Sequence, residues 1–298
     1  MGGRFRGAQH RHAIETRSMS YPRRVVSMAL VVSMLLSRGA LDTGWAETAA
    51  AAPLRSSPSS CNRAAFRVIV DVGHTVDRHG VLSARGTTEY RFNLRLANRI
   101  EQMLVDAGFG KTVELITAAP PPRGLFERAA RANDVRADLF LSIHHDGVPD
   151  AFVEKWEYDG SEHSFSDRFK GHSIFISYDN GNPAGSLRFG RLLGNQLKAR
   201  GLQYTPHYAE KFMGNRQRKL VDAEAGVYRY DQLIVLRSTR MPAVLLEAGS
   251  IVNRDEELLL EAPERQAAIA AAVTDAVEAF CVARAPRKPA RAARRPGV

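Results

Sequence analysis

The chain has 298 residues, 44% hydrophobic and 25% charged, an ordinary globular composition long enough for one large domain or two small ones. Its net charge of +10 belongs to the ends: seven arginines stand against Glu15 and Asp42 in residues 1–46, and five arginines with Lys288 meet no acid in residues 282–298. The body between them is close to neutral, which excludes a basic nucleic-acid-binding face there.

In chain order, Arg23 and Arg24 precede an apolar run over 25–36, and small residues follow at Gly44-Trp45-Ala46 and again from Ala49 to Ala52. This layout predicts a secretory signal over 1–46, the alternative being an uncleaved anchor; the run is shorter than the ~20 residues of a membrane helix. Tyr21-Pro22-Arg23-Arg24-Val25-Val26 also resembles a twin-arginine export signal. Residues 47–65, opening rich in Ala, Pro and Ser, read as a linker into a body over 66–281. Cys61 and Cys281 flank that body; an exported chain can join them, and their positions alone are equally compatible with no bond. The expected location is the periplasm or cell envelope.

The body opens with Val68-Ile69-Val70-Asp71-Val72-Gly73-His74-Thr75, a buried strand that ends by delivering a histidine. A loop with Gly80 and Gly86 leads to Glu89, and a helix over 90–107 carries Phe92, Leu96, Ile100, Met103 and Leu104 at helical spacing. A strand over 113–117, a short helix over 124–133 and a strand over 138–144 follow, the last ending at His144. Residues 146–171 break the rhythm and read as an inserted loop beside the site. After a strand over 172–178, a helix opens at Asn182-Pro183 and runs to 200, with Leu187, Leu192, Leu193 and Leu197 on its stripe. Residues 202–230 are polar and aromatic; this segment or 146–171 is expected to restrict access to the site, as a gate or as a substrate-binding rim. A short strand or turn over 233–236, a last strand over 243–247 ending at Glu247, and a closing helix over 264–280 complete the body. The Pro/Arg/Ala tail has no apolar period. Strands alternating with helices imply one α/β domain on a twisted, mostly parallel sheet with helices on both faces.

In such sheets ligands bind at the strand ends. His74, Glu89, His144 and Glu247 therefore form a His, Glu, His set with one further carboxylate, the composition of a mononuclear zinc hydrolase. Their motifs are specific: Val70-Asp71-Val72-Gly73-His74; Glu89 with Asn93-Leu94; Leu141-Ser142-Ile143-His144; and Leu236-Arg237-Ser238-Thr239-Arg240-Met241-Pro242-Ala243-Val244-Leu245-Leu246-Glu247 with Gly249 and Asn253. Residues 66–280 resemble the zinc-dependent N-acetylmuramoyl-L-alanine amidases of bacterial cell-wall turnover. The resemblance implies a roughly six-stranded sheet, zinc held by His74, Glu89 and His144, Glu247 as the catalytic carboxylate, peptidoglycan as substrate and a regulatory protein partner. The rival readings are a zinc carboxypeptidase or aminoacylase, and a non-catalytic wall-binding or regulatory protein. Asp71 is expected to orient a ligand imidazole or to be a solvated turn residue, His145 to line the cleft, and Arg237 and Arg240 to meet an acidic peptide or remain solvated.

Overall fold

A computed structural model describes residues 61–284; the expected export signal, the linker up to 60 and the tail beyond 284 lie outside them. Strand β1 (Val68–Val72) is buried at every position, so its apolar residues run continuously instead of alternating, as a strand covered on both faces requires. Helix α1 (Glu89–Asp106) leads to β2 (Val113–Leu115), which pairs parallel with β1. Helix α2 (Arg123–Asp134) leads to β3 (Leu139–Asp146), parallel to β1 on its other side. The strand runs two residues beyond the expected end at His144, with an irregularity in its pairing between His144 and Asp146.

Residues 146–171 are not an irregular loop. They form an antiparallel hairpin, β4 (Glu154–Tyr158) and β5 (Ser161–Phe165), separate from the main sheet. Then come β6 (Ser173–Ile176) and α3 (Pro183–Ala199), whose N-cap Asn182 accepts a hydrogen bond from the Gly185 N–H. The polar segment 202–230 contains 3₁₀ turns at His207–Ala209 and Lys211–Arg216, then β7 (Lys219–Asp222) and β8 (Val227–Arg229). These two strands widen the sheet to seven, where the resemblance implied about six. A short helix α4 (Ile234–Arg237) precedes β9 (Ala243–Ser250); α5 (Arg254–Glu261) and α6 (Pro263–Arg284) end the body.

The sheet order is β2-β1-β3-β9-β6-β8-β7. The half containing β2, β1, β3 and β9 is parallel; β6 pairs antiparallel with β9 and parallel with β8, and β7 closes the edge antiparallel. Alternation sorts each strand between two cores. Val68, Val70, Leu141 and Leu246 join α1, α3 and α6 on one face. Ile69, Phe140, Leu245 and Phe175 meet α2, α4 and the 3₁₀ segment on the other. Each such side chain contributes about 1.5–3 kcal/mol when removed from water. By length and composition α6 would pass for a membrane span; Ile269, Val273, Val277 and Phe280 instead lie at the centre of the first core.

The body is slightly longer at both ends than the sequence implied. Cys61 is bonded to Cys281, and Arg63 pairs with Glu278 at 2.7 Å and donates to the Ala107 carbonyl, so residues 61–65 belong to the body and not to the linker. Arg284, assigned to the tail, lies on α6 and donates to the Asp138 carbonyl. The bond joins positions 220 residues apart and restricts the unfolded chain most strongly where the loop is long. The double substitution Cys61→Ser, Cys281→Ser is expected to lower unfolding free energy by about 2–4 kcal/mol in a denaturant titration, with circular dichroism unchanged. A midpoint equal to the parent's under oxidising conditions would contradict this.

Candidate metal centre and its cleft

β1 ends against a buried clamp. Asp71 accepts from Ser142 Oγ at 2.7 Å and from Arg128 Nη1 at 3.0 Å, and both partners of the ion pair are enclosed. Arg128 also donates to the carbonyls of Val72 and His74. This holds the turn after β1, in which His74 takes a left-handed backbone with φ of 66°, a conformation costing a non-glycine residue about 1–2 kcal/mol. Asp71 thus neither touches an imidazole nor faces water; it shapes the site through Arg128.

Glu89 opens α1, where a negative charge suits the helix dipole. Its carboxylate is buried between two imidazoles: Oε2 lies 2.9 Å from His74 Nε2, and Oε1 lies 3.0 Å from His144 Nδ1. Burial pushes this carboxyl up, but the hydrogen bonds and charges of His144 and His74 outweigh it and hold it well below the usual carboxylate range. One donor atom from each of the three residues lies within 4.8 Å of the others. Two glycines make room for them. A Cβ on Gly73 would stand 2.4 Å from His144 Nε2, and one on Gly80 2.2 Å from Glu89 Oε2.

His144 and His145 point to opposite sides of β3, as successive strand residues must. The His145 ring lies 5.4 Å from that of Phe92, and its Nδ1 donates to Asn93 Oδ1 at 2.8 Å. Asn93 in turn donates to Glu89 Oε1 and to the Gly73 carbonyl, each at 3.2 Å. Burial pushes His145 down to about 3, so it is neutral at pH 7. His145 thus borders the metal-side cleft, as expected, but at 2% exposure its ring is turned to Phe92 and Asn93.

Glu247 on β9 is the lateral neighbour of His144 on β3. It shares with His74, Glu89 and His144 a cavity of 340 Å³. Its Oε2 is enclosed and has no hydrogen-bond partner. Burial, then the charges of Asp146 and Glu89, push the Glu247 carboxyl well up, and Arg216 opposes them. Asp146, which accepts from Tyr208 Oη at 2.7 Å, is pushed up to about 7, chiefly by burial. A second cavity of 200 Å³ lies beside the same two histidines; its lining of Leu125, Pro121, Val235 and Leu245 is mainly apolar, and Glu247 is not part of it.

The structure thus brings together all four residues singled out in the sequence. It does not bring Arg237 or Arg240 to the metal-side cavity, which takes Arg216 and Arg218 instead. The 3₁₀ segment supplies a wall and not a plug, since the His74 side chain remains 32% exposed. Hairpin residues do not line this cavity; Trp156 Nε1 donates to the Ala84 carbonyl and buttresses the loop before Glu89. Arg128 and Asn93 were given no role from sequence. Arg128 had a signal: it lies on the stripe of α2 otherwise made of Gly124, Ala129 and Ala132.

Two imidazoles and a carboxylate converging on one point, beside an enclosed free carboxylate at the ends of parallel strands, define an α/β protein built to hold a metal ion. The model of the N-acetylmuramoyl-L-alanine amidase family matches residues 68–279, and the chain belongs to that family. It is 27% identical over 195 residues to the endolysin of Bacillus phage SPP1, and 24% identical over 260 residues to the N-acetylmuramoyl-L-alanine amidase AmiC of Escherichia coli O6:H1. These matches cover 65% and 76% of this chain but only 58% and 56% of the two relatives' lengths. Among solved structures, the N-acetylmuramyl-L-alanine amidase Ami1 of Mycobacterium smegmatis superposes with a TM-score of 0.56 at 18% identity, covering 76% of this chain and all of that one.

Gly80 has a φ of 77°, and the nearest atoms to an added Cβ are side-chain atoms of Glu89 and His74. Gly80→Ala is expected to weaken metal-ion binding by at least about tenfold while destabilising the metal-free protein by only about 1 kcal/mol. Metal stoichiometry after dialysis, read beside a thermal melt, checks this; a variant that retains the ion as tightly as the parent would show that the donor cluster tolerates displacement.

Proposed function

We propose that the protein is an exported, zinc-dependent hydrolase that cleaves the amide between N-acetylmuramic acid and L-alanine in peptidoglycan. The observation that carries this reading is the three-donor cluster beside an enclosed, unpartnered carboxylate on the adjacent strand. His74, Glu89 and His144 fit zinc as two imidazoles and one carboxylate, a set that leaves a position open for reactants. When bound, the ion supplies Lewis acidity toward an amide carbonyl and makes water in contact with it more acidic.

The remaining chemistry falls to the chain. The Glu247 carboxylate takes a proton from the attacking water and delivers it to the amine nitrogen as the carbon–nitrogen bond breaks. The products are a muramic acid carboxylate and a free peptide amine. Burial and the charges of Asp146 and Glu89 push the Glu247 carboxyl up, which makes it a stronger proton acceptor than an ordinary carboxylate. Asn93 and the Asp71–Arg128 pair hold Glu89 and His74 in place, so the donors need little rearrangement.

The disulfide supports export, because such bonds persist in oxidising compartments, and the leader pattern agrees. In this reading residues 1–46 are removed and 61–284 form the catalytic body. A regulatory protein partner would act through the 3₁₀ segment, which contributes Tyr208 and Arg216 to the cavity wall.

Digestion of purified peptidoglycan tests the proposal. It predicts intact stem peptides and peptide-free glycan strands, with activity abolished by a chelator and restored by zinc. Shortened peptides would assign a carboxypeptidase instead. Glu247→Gln is expected to lower turnover by about 10²–10⁴-fold while keeping one zinc per chain. If the variant loses zinc yet turns over normally per bound ion, the role given to Glu247 is wrong.

A further inference from the structure

The metal-side cavity continues into a neighbouring one of 580 Å³, the two sharing Arg218 and Tyr230. Their common wall is the stretch from the 3₁₀ segment into β7. It carries Arg216, Arg218 and Lys219, and none of these has a carboxylate within ion-pair distance among the described residues. The fourth cation of the groove, Arg229, is already neutralised by Asp231 at 2.5 Å. Three cations along this wall are thus outside any direct ion pair among the described residues, and Arg216 acts on Glu247 and Asp146 only at longer range.

Two of these cations are poised differently. Arg218 is pre-organised: Nη1 donates to the carbonyls of Asn215 and Gln217, both at 2.8 Å, and the guanidinium stacks 3.7 Å from the centre of the Tyr230 ring. Holding a guanidinium in this way lowers the ordering cost of binding an anion. Arg216 is half-buried, and its side chain makes no hydrogen bond, ion pair or ring contact among the described residues. A cation so placed in the cavity wall has all its donors free for direct hydrogen bonds to an anionic ligand.

The cleft also has a direction. His74 and His144 border both the metal-side cavity and the apolar one, whereas Glu247 and Arg216 border only the first. If Glu247 delivers the proton to the departing amine, the peptide leaves on the Glu247 side, along the Arg216 wall. We propose that Arg216 and Arg218 form a subsite for the free carboxylate of an acidic stem peptide, one residue beyond the scissile amide, so that the enzyme prefers acidic stems to their amidated counterparts. This specificity rests on the amidase reading above for its direction; the binding of an acidic peptide does not.

The test therefore has two arms. In the first, the dipeptide L-alanyl-D-isoglutamate and its amide, L-alanyl-D-isoglutamine, are titrated calorimetrically into the zinc-loaded protein. The acidic dipeptide is expected to bind at least about tenfold more tightly, as a charge-assisted hydrogen bond implies. The double variant Arg216→Gln, Arg218→Gln should lose the difference, and Arg216→Lys should keep part of it. In the second arm, kcat/KM is compared for the matching muramoyl peptides. Wild type should favour the acidic one by a similar factor, and the double variant should process both alike. If Arg216 served only to balance Glu247 and Asp146, its removal would slow both substrates equally and leave the ratio intact. An unchanged ratio in the double variant, or equal binding of the two dipeptides by wild type, overturns the proposal. Discriminating dipeptide binding with no hydrolysis of either muramoyl peptide would support the subsite and refute the amidase reading.

Discussion

A single buried carboxylate organises this protein. Glu89 lies almost out of contact with water at the start of α1, between the imidazoles of His74 and His144. An enclosed charge of this kind is unfavourable without partners, so the surrounding structure serves to provide them. Gly73 and Gly80 lack the Cβ atoms that would collide with the three side chains. Asn93, one turn further along α1, ties the carboxylate to the end of β1 and to His145. Arg128 reaches from α2 to hold the strained turn that presents His74. The same two imidazoles that stabilise the charge are the donors with which it would share a cation.

Sheet topology converts these local arrangements into a reaction centre. β1, β3 and β9 are adjacent and parallel, so the residues at their ends emerge on one side of the sheet. His74 follows β1 directly, while His144 and Glu247 are partners across β3 and β9. The spacing between donor cluster and free carboxylate is therefore fixed by backbone pairing, which is stiffer than any loop. The charged groove comes from the other half of the sheet, where the strands are short and the connections long. The donor cluster and the charged groove are thus carried by different parts of the fold.

The same division explains what the sequence made legible. Val68 to Val72 and Leu139 to Ile143 announce buried strands because both faces demand apolar residues, whereas the polar His144 hides the continuation of β3 to Asp146. The stripe of α1 is equally plain. β7 and β8 escaped notice because one is an edge strand and both are too short, at four and three residues, to show alternation. The β4–β5 hairpin is largely exposed and lacks the one-sided apolar pattern that betrays a strand. Among candidate site residues, motif order picked out four at strand and helix ends that the fold brings into one cavity. Arg216 and Arg218 lay beyond reach, because their place depends on the path of a 3₁₀ segment and not on any periodicity. Arg237 and Arg240, nearer to Glu247 in sequence, are exposed outside the metal-side cavity, at the end of α4 and in the turn that follows it.

The most direct test of this account is anomalous diffraction at the zinc edge from crystals grown with zinc. The account predicts one strong peak within about 2.0–2.2 Å of a nitrogen of His74, a nitrogen of His144 and an oxygen of Glu89, with Glu247 near it but not coordinating. A peak centred on Asp146 and His207, or no peak among the three donors at saturating zinc, would contradict it.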